Sequence, residues 1–181
     1  LTLEEINPFF FDEPVAPLAA AGKRKNVRLD TVLGKIRAVA RRCDVLLVEG
    51  IGGLLVPCGE KVTVLDIIKK LRCPVLVVSR NRLGTINHTL LTINVLETSG
   101  IENFAIVMMG VKKPDISARN NVKIIQKMAP GGPVFEVPRL KFRGSKVGGI
   151  KINVTFLKKT LARILGDDSF NAVLPIKRRK G

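Results

Sequence analysis

Four short apolar runs, set about 30 residues apart, constrain this chain more than any other feature. They are Asp44–Val48 (DVLLV), Pro74–Val78 (PVLVV), Asn103–Met109 (NFAIVMM) and Val134–Val137 (VFEV). Continuous apolar runs of this length, bounded by Gly and Pro, read as strands buried on both faces. The stretches between them carry helical spacing. Helices are expected over Val27–Arg42, Val62–Leu71, Ile86–Thr98 with Thr85 as N-cap, Asp115–Met128 with Asp115 or Ser117 near its start, and Ile152–Leu165. Asn7–Pro17, punctuated by Pro8, Pro14 and Pro17, reads as an ordered loop. Alternation of strand and helix predicts an α/β fold whose parallel sheet is covered by helices on both faces. One α/β domain over 1–166 and a basic tail over 167–181 are the expected organisation.

Composition removes several function classes. Hydrophobic residues make up 46% of the 181 residues, enough for a packed core and too many for a disordered chain. Aromatics are 4%, with no Trp or Tyr, so a stacking platform for single-stranded nucleic acid is not expected. Cys43, Cys58 and Cys73 form neither a disulfide framework nor a zinc pattern, and His88 is the one histidine. No apolar run reaches the ~18 residues of a membrane span, and a reducing cytoplasmic setting is expected. Net charge is +16, concentrated after Arg139 and ending in Lys177-Arg178-Arg179-Lys180. Such a tail binds nucleic acid or is simply a solvated terminus, and no nucleic-acid motif accompanies it.

In parallel α/β sheets ligands gather beyond the carboxyl ends of the strands. Two such segments carry chemistry. Glu49-Gly50-Ile51-Gly52-Gly53 places a carboxylate before glycines. Glycines let backbone amides approach a phosphate, and a carboxylate reaches a hard cation such as Mg²⁺. The alternative is a tight turn with Glu49 as a helix cap, and the pentapeptide does not separate the two. Leu83-Gly84-Thr85-Ile86-Asn87-His88 opens a predicted helix. First-turn amides and the helix dipole suit a carboxylate there, whereas the plain alternative is an ordinary capped helix.

Four stretches together resemble the dethiobiotin synthetase family. They are Asn7-Pro8-Phe9 through Pro14-Val15-Ala16-Pro17, Val48 to Pro57, Pro74 to Val78, and Leu83 to Thr92, in matching order and spacing. The resemblance covers about residues 7–140. It implies a P-loop NTPase-like three-layer fold, a homodimer, ATP and Mg²⁺. It implies closure of a cyclic urea from 7,8-diaminononanoate and CO₂ in biotin biosynthesis: the diamine is carboxylated, the carbamate is phosphorylated, and the second amine closes the ring. On the family pattern Glu49 is the Mg²⁺ ligand. Glu49, Gly50, Ile51 and Gly52 line the ATP phosphates, and Pro138, Arg139 and Leu140 pack on the adenine. Leu83, Gly84, Thr85, Ile86 and Asn87 hold the substrate carboxylate and serve the partner subunit's active site.

The chain departs from that pattern. No GxxxxGK[ST] match occurs, and Lys113-Pro114 follows too late a strand to be the family's catalytic Lys-Pro pair, so no catalytic residue is assigned. The adenine-reading Asn-Asp pair aligns with Met109-Gly110, a Glu beyond the adenine loop aligns with Phe142, and Leu18 stands where a His is usual. The sequence opens on Leu1, and the expectation is a C-terminal portion that is inactive alone, without the first βα unit or units. Two further readings stay open: a cobyrinate-type amidoligase, and a degenerate dimerising or nucleic-acid-binding protein without catalysis.

Overall fold

The computed structural model of the chain describes residues 1–21 and 27–139, which fall into two compact units, Leu1–Arg72 and a second beginning at Cys73. Leu140, Phe142, the helix expected over Ile152–Leu165 and the basic tail lie outside the described residues.

The first unit contains α1 (Leu3–Ile6), α2 (Pro17–Ala21), α3 (Leu29–Ala40), the short antiparallel pair β1 (Pro57–Gly59) and β2 (Val62–Thr63), and α4 (Val64–Leu71). Residues 7–16 form neither helix nor strand, and Pro17 takes the first position of α2, where its missing N–H costs nothing. The apolar side chains of α3 that recur at helical spacing, Val32, Leu33 and Val39, are the buried ones. α4 starts on a capping box: the Asp66 amide donates to Thr63 Oγ1 at 3.3 Å, and the Thr63 amide donates to Asp66 Oδ2 at 2.8 Å.

The second unit is a three-stranded parallel sheet ordered β3 (Val75–Arg80), β4 (Phe104–Met109), β5 (Val134–Val137). The central strand β4 is buried from Phe104 to Met108, as the apolar run predicts. Two crossovers join the strands: α5 (Thr85–Thr98), and a 3₁₀ turn (Ile116–Arg119) running into α6 (Asn121–Met128). Ser79 and Thr89 hydroxyls share a 2.8 Å hydrogen bond between β3 and α5, which fixes the face that α5 covers. Leu96 and Ile125 are fully buried where α5 and α6 pack. On alternate positions Ala105, Val107, Phe135 and Val137 cluster, with Leu76 and Met109 against them.

Two expected helices are shorter than their spacing suggests, since Val62–Thr63 pairs as β2 and Ile116–Arg119 is 3₁₀ before α6, and two expectations fail outright. Residues 44–50 are not a strand: they enter no ladder, and Val45, Leu47 and Val48 are 60%, 75% and 50% exposed. A continuous apolar run carries no period of its own, so DVLLV has the composition of a buried strand without the pairing that makes one. Thr85 is not the N-cap of α5. Gly84 is, at φ +90°, and Thr85 is the first helical residue, with its side chain buried. The left-handed backbone at Gly84 is the conformation glycine adopts without strain.

Candidate carboxylate and nucleotide site

The strands of the second unit end together. The Asn81 amide donates to the Met109 carbonyl at 2.9 Å, and the Gly110 amide donates to the Val137 carbonyl at 2.8 Å. A Cβ on Gly110 would lie 2.7 Å from the Arg139 backbone nitrogen, so only glycine lets the 110 and 138–139 segments meet this closely. The Gly110 amide and the Met109 carbonyl are therefore taken up by neighbouring strands. The one side chain at these two positions, where the resemblance expects base reading, is the half-buried thioether of Met109, which offers no paired donor and acceptor.

Beyond β3 the chain turns through 81–84 into α5. The Thr85 amide donates to the Arg82 carbonyl and the His88 amide to the Gly84 carbonyl, each at 3.2 Å. The Ile86 and Asn87 amides find no acceptor among the described residues. They are orphan donors at the positive end of a 14-residue helix. Beside them runs a shallow groove of about 620 Å³ lined by Leu83, Ile86, Asn87, Leu90, Leu91 and Asn94. Two amides at one end of an apolar groove match a carboxylate on an aliphatic chain. The Leu83 amide is not available to such a ligand, because it donates to Asp115 Oδ2 at 2.8 Å.

Four residues that hold this turn were not singled out as a group by the sequence. Asp115 also accepts from the Ser117 amide at 2.9 Å and from the Ser117 hydroxyl. Asn81 Nδ2 donates to the Ala118 carbonyl at 3.1 Å. Buried Asn121 donates from Nδ2 to Asn81 Oδ1 at 2.9 Å, and to the Arg82 carbonyl and Ser117 Oγ at 3.3 Å. The hydrogen bonds from Ser117 and the Leu83 amide hold the Asp115 carboxyl below its ordinary range. Asn121 opens a helix that also carries Lys123, Gln126 and Lys127, so no local pattern marks it as the buried polar residue.

In the first unit Glu49 is exposed and caps no helix, since α4 is capped by Thr63. A Cβ on Gly50 would press on Val64 Cγ1 at 2.9 Å, and Gly52 is favoured by φ +68° with a Cβ 2.8 Å from Val56 Cγ2. The local fold thus explains both glycines without a ligand. Among the described residues no group of three or more His, Cys, Asp and Glu could hold a metal. Glu49 as a single hard-oxygen ligand fits Mg²⁺, which takes one or two carboxylates and completes its shell with phosphates and water. Pro138 and Arg139, expected on the adenine side, are exposed just past β5. Burial pushes the Cys58 and Cys73 thiols up, so neither is an activated nucleophile. Among the described residues no helix is long and apolar enough to cross a membrane.

A family model described as an AAA domain matches residues 2–142, and the chain belongs to that class of α/β domains. It is 37% identical over 143 residues to the ATP-dependent dethiobiotin synthetase BioD of Bacillus subtilis (strain 168), covering 77% of this chain and 62% of the relative. The same-named protein of Anaeromyxobacter dehalogenans (strain 2CP-C) is 46% identical over 107 residues, 59% of this chain and 48% of the relative. That of Aquifex aeolicus (strain VF5) is 34% identical over 141 residues, 77% and 64%. Within the AAA-domain class the chain belongs to the dethiobiotin synthetase family. It spans 62%, 56% and 61% of the length of the first three curated relatives.

Proposed function

We propose that this chain carries the acid-anchoring part of an ATP- and Mg²⁺-dependent dethiobiotin synthetase, which closes a cyclic urea from 7,8-diaminononanoate and CO₂. The observation that carries the reading is the start of α5. There the orphan Ile86 and Asn87 amides stand at the head of an apolar groove, on the segment where the family resemblance is most specific. The amides receive the carboxylate, Gly84 keeps a Cβ out of its approach, and the aliphatic chain lies along Leu83, Ile86 and Leu90. In this role Leu83 and Thr85 shape the turn, since their amides are held by Asp115 and Arg82.

Glu49 would hold Mg²⁺, with Gly50, Ile51 and Gly52 beside the phosphates. Pro138 and Arg139 would lie on the adenine side, with Leu140 next in sequence. When bound, ATP supplies the phosphoryl group that activates the carbamate, and Mg²⁺ neutralises the charge on the phosphates. The 181 residues contain no GxxxxGK[ST], and on this reading the chain alone does not turn over. A homodimer is part of the proposal. Leu83, 78% exposed, and Leu91, 56% exposed, support it, because they leave the groove apolar and open on its outer side. The proposed setting is the reducing cytoplasm, supported by three free cysteines.

Titration calorimetry of the chain with 7,8-diaminononanoate, and with the same diamine lacking its carboxylate, tests the reading. Saturable binding of the acid and at least roughly tenfold weaker binding of the decarboxylated diamine are expected, since charge-assisted hydrogen bonds carry the anchoring. Equal binding of the two removes the carboxylate assignment.

A further inference from the structure

The proposed carboxylate turn does not hold itself. Residues 81–84 leave β3, reverse through Gly84 at φ +90° and enter α5, and among the described residues the side chains bonded to this stretch from outside are Asp115 and Asn121. Asp115 bridges the two segments: one carboxylate oxygen accepts from the Leu83 amide and the other from Ser117. Asn121 anchors Asn81 and Arg82 from below. Arg82 in turn accepts the Thr85 amide. The consequence is a division of donors. The amides of 83 and 85 are taken up by protein acceptors, while those of 84, 86 and 87 find none among the described residues.

We propose that Asp115 is a positioning residue for this turn. By withdrawing the Leu83 amide and tying the turn to Ser117 and Asn121, it holds the Ile86 and Asn87 amides in the one orientation that receives a carboxylate. The inference rests on the carboxylate reading and deepens it, since it says which residue outside the turn sets the turn's binding-competent population. Apparent affinity scales with that population: if loss of the bridge leaves about a tenth of molecules competent, affinity falls about tenfold with no ligand contact removed.

The experiment uses the 181-residue chain, its Asp115→Ala and Asp115→Asn variants, and 7,8-diaminononanoate as the probe. Amide hydrogen exchange is read at Leu83, and affinity for the acid is read by calorimetry. Asp115→Ala should expose the Leu83 amide to fast exchange and weaken the acid about tenfold. Exchange at Leu96, whose side chain is fully buried in the last turn of α5, should stay slow. Asp115→Asn keeps one carbonyl acceptor, enough for the Leu83 amide but not for Ser117 as well, so it should restore slow exchange at Leu83 and part of the affinity, which a change in overall stability or in charge alone would not do. Unchanged affinity in Asp115→Ala, with the parent binding the acid, overturns the positioning role and leaves the carboxylate reading standing. Failure of the parent to bind the acid at all overturns the carboxylate reading, and the positioning role falls with it. Failure of Asn to rescue overturns the hydrogen-bond basis of the proposal.

Discussion

Gly84 is where backbone geometry and the proposed chemistry meet, and Gly84→Ala separates them. The nearest atoms to a Cβ there are Cδ2 and Nε2 of His88, both at 3.8 Å, an ordinary contact. Space is therefore not the obstacle. The backbone is: at φ +90° an L-residue is strained by roughly 1–2 kcal/mol, partly offset by the lower entropy of the unfolded Ala chain, about 0.4–1 kcal/mol. A net cost of about 1 kcal/mol lowers the urea midpoint by roughly 0.3–1 M. Gly100 supplies the control. It sits past the other end of α5 at φ +75° with nothing within 4 Å of its Cβ position, so Gly100→Ala should cost about the same. Urea unfolding followed by circular dichroism, paired with calorimetry using 7,8-diaminononanoate, reads both quantities. Both variants should lose similar stability, but only Gly84→Ala should lose affinity, about tenfold for a turn shifted out of its competent state. Equal losses of affinity in the two would mean that binding follows stability rather than the turn. Full stability in Gly84→Ala would refute the strain argument itself.

Other outcomes follow from the same structure. Leu96→Ala should destabilise by roughly 2–5 kcal/mol, because the side chain is 0% exposed; chemical denaturation measures it. Thr63→Ala should cost about 1 kcal/mol through loss of the α4 capping box, read as faster amide exchange across Val64–Leu71. Asp66 is held below its ordinary range by the Thr63 hydroxyl and amide, and Asp115 by Ser117 and Leu83. Depressed carboxyls stabilise the fold above the unfolded value near 3.9, and that contribution is lost as pH falls through the lower folded values. Acid titration should therefore show stability falling below about pH 4, and Asp66→Asn should flatten the fall. With Met109 and a Gly110 whose amide is engaged at the positions proposed to read the base, ATP and GTP should bind within about tenfold of each other, or ~1.4 kcal/mol. Competition binding showing strong ATP preference would mean that adenine is read elsewhere.

The cores of α3, α4, α5 and α6 and the three strands of the parallel sheet were legible because their signals are local, whereas the short α1, α2, β1 and β2 were not anticipated. Val75–Arg80, Phe104–Met109 and Val134–Val137 lie within two residues of their apolar runs, and α5 begins one residue from its expected start. Asp44–Val48 was misread because an apolar run reports hydrophobicity but not a partner strand. The chemistry at the turn was legible only in part. Gly84 and the helix start can be seen in the sequence. The bonds that determine which amides are free join residues 32 to 40 positions apart, Leu83 to Asp115 and Asn81 to Asn121. No local pattern encodes such pairs, since Asp115 reads equally well as the cap of the 3₁₀ turn that it also is.

The central claim is that an aliphatic acid is anchored by its carboxylate at the start of α5. A crystal structure of the chain soaked with 7,8-diaminononanoate tests it most directly. The account requires the carboxylate oxygens within hydrogen-bond distance of the Ile86 and Asn87 amides, about 2.7–3.2 Å, with the chain along Leu83, Ile86 and Leu90 and the Leu83 amide still on Asp115. A carboxylate held instead by exposed cations such as Arg80 or Arg139, with the Ile86 and Asn87 amides left to solvent, would contradict it.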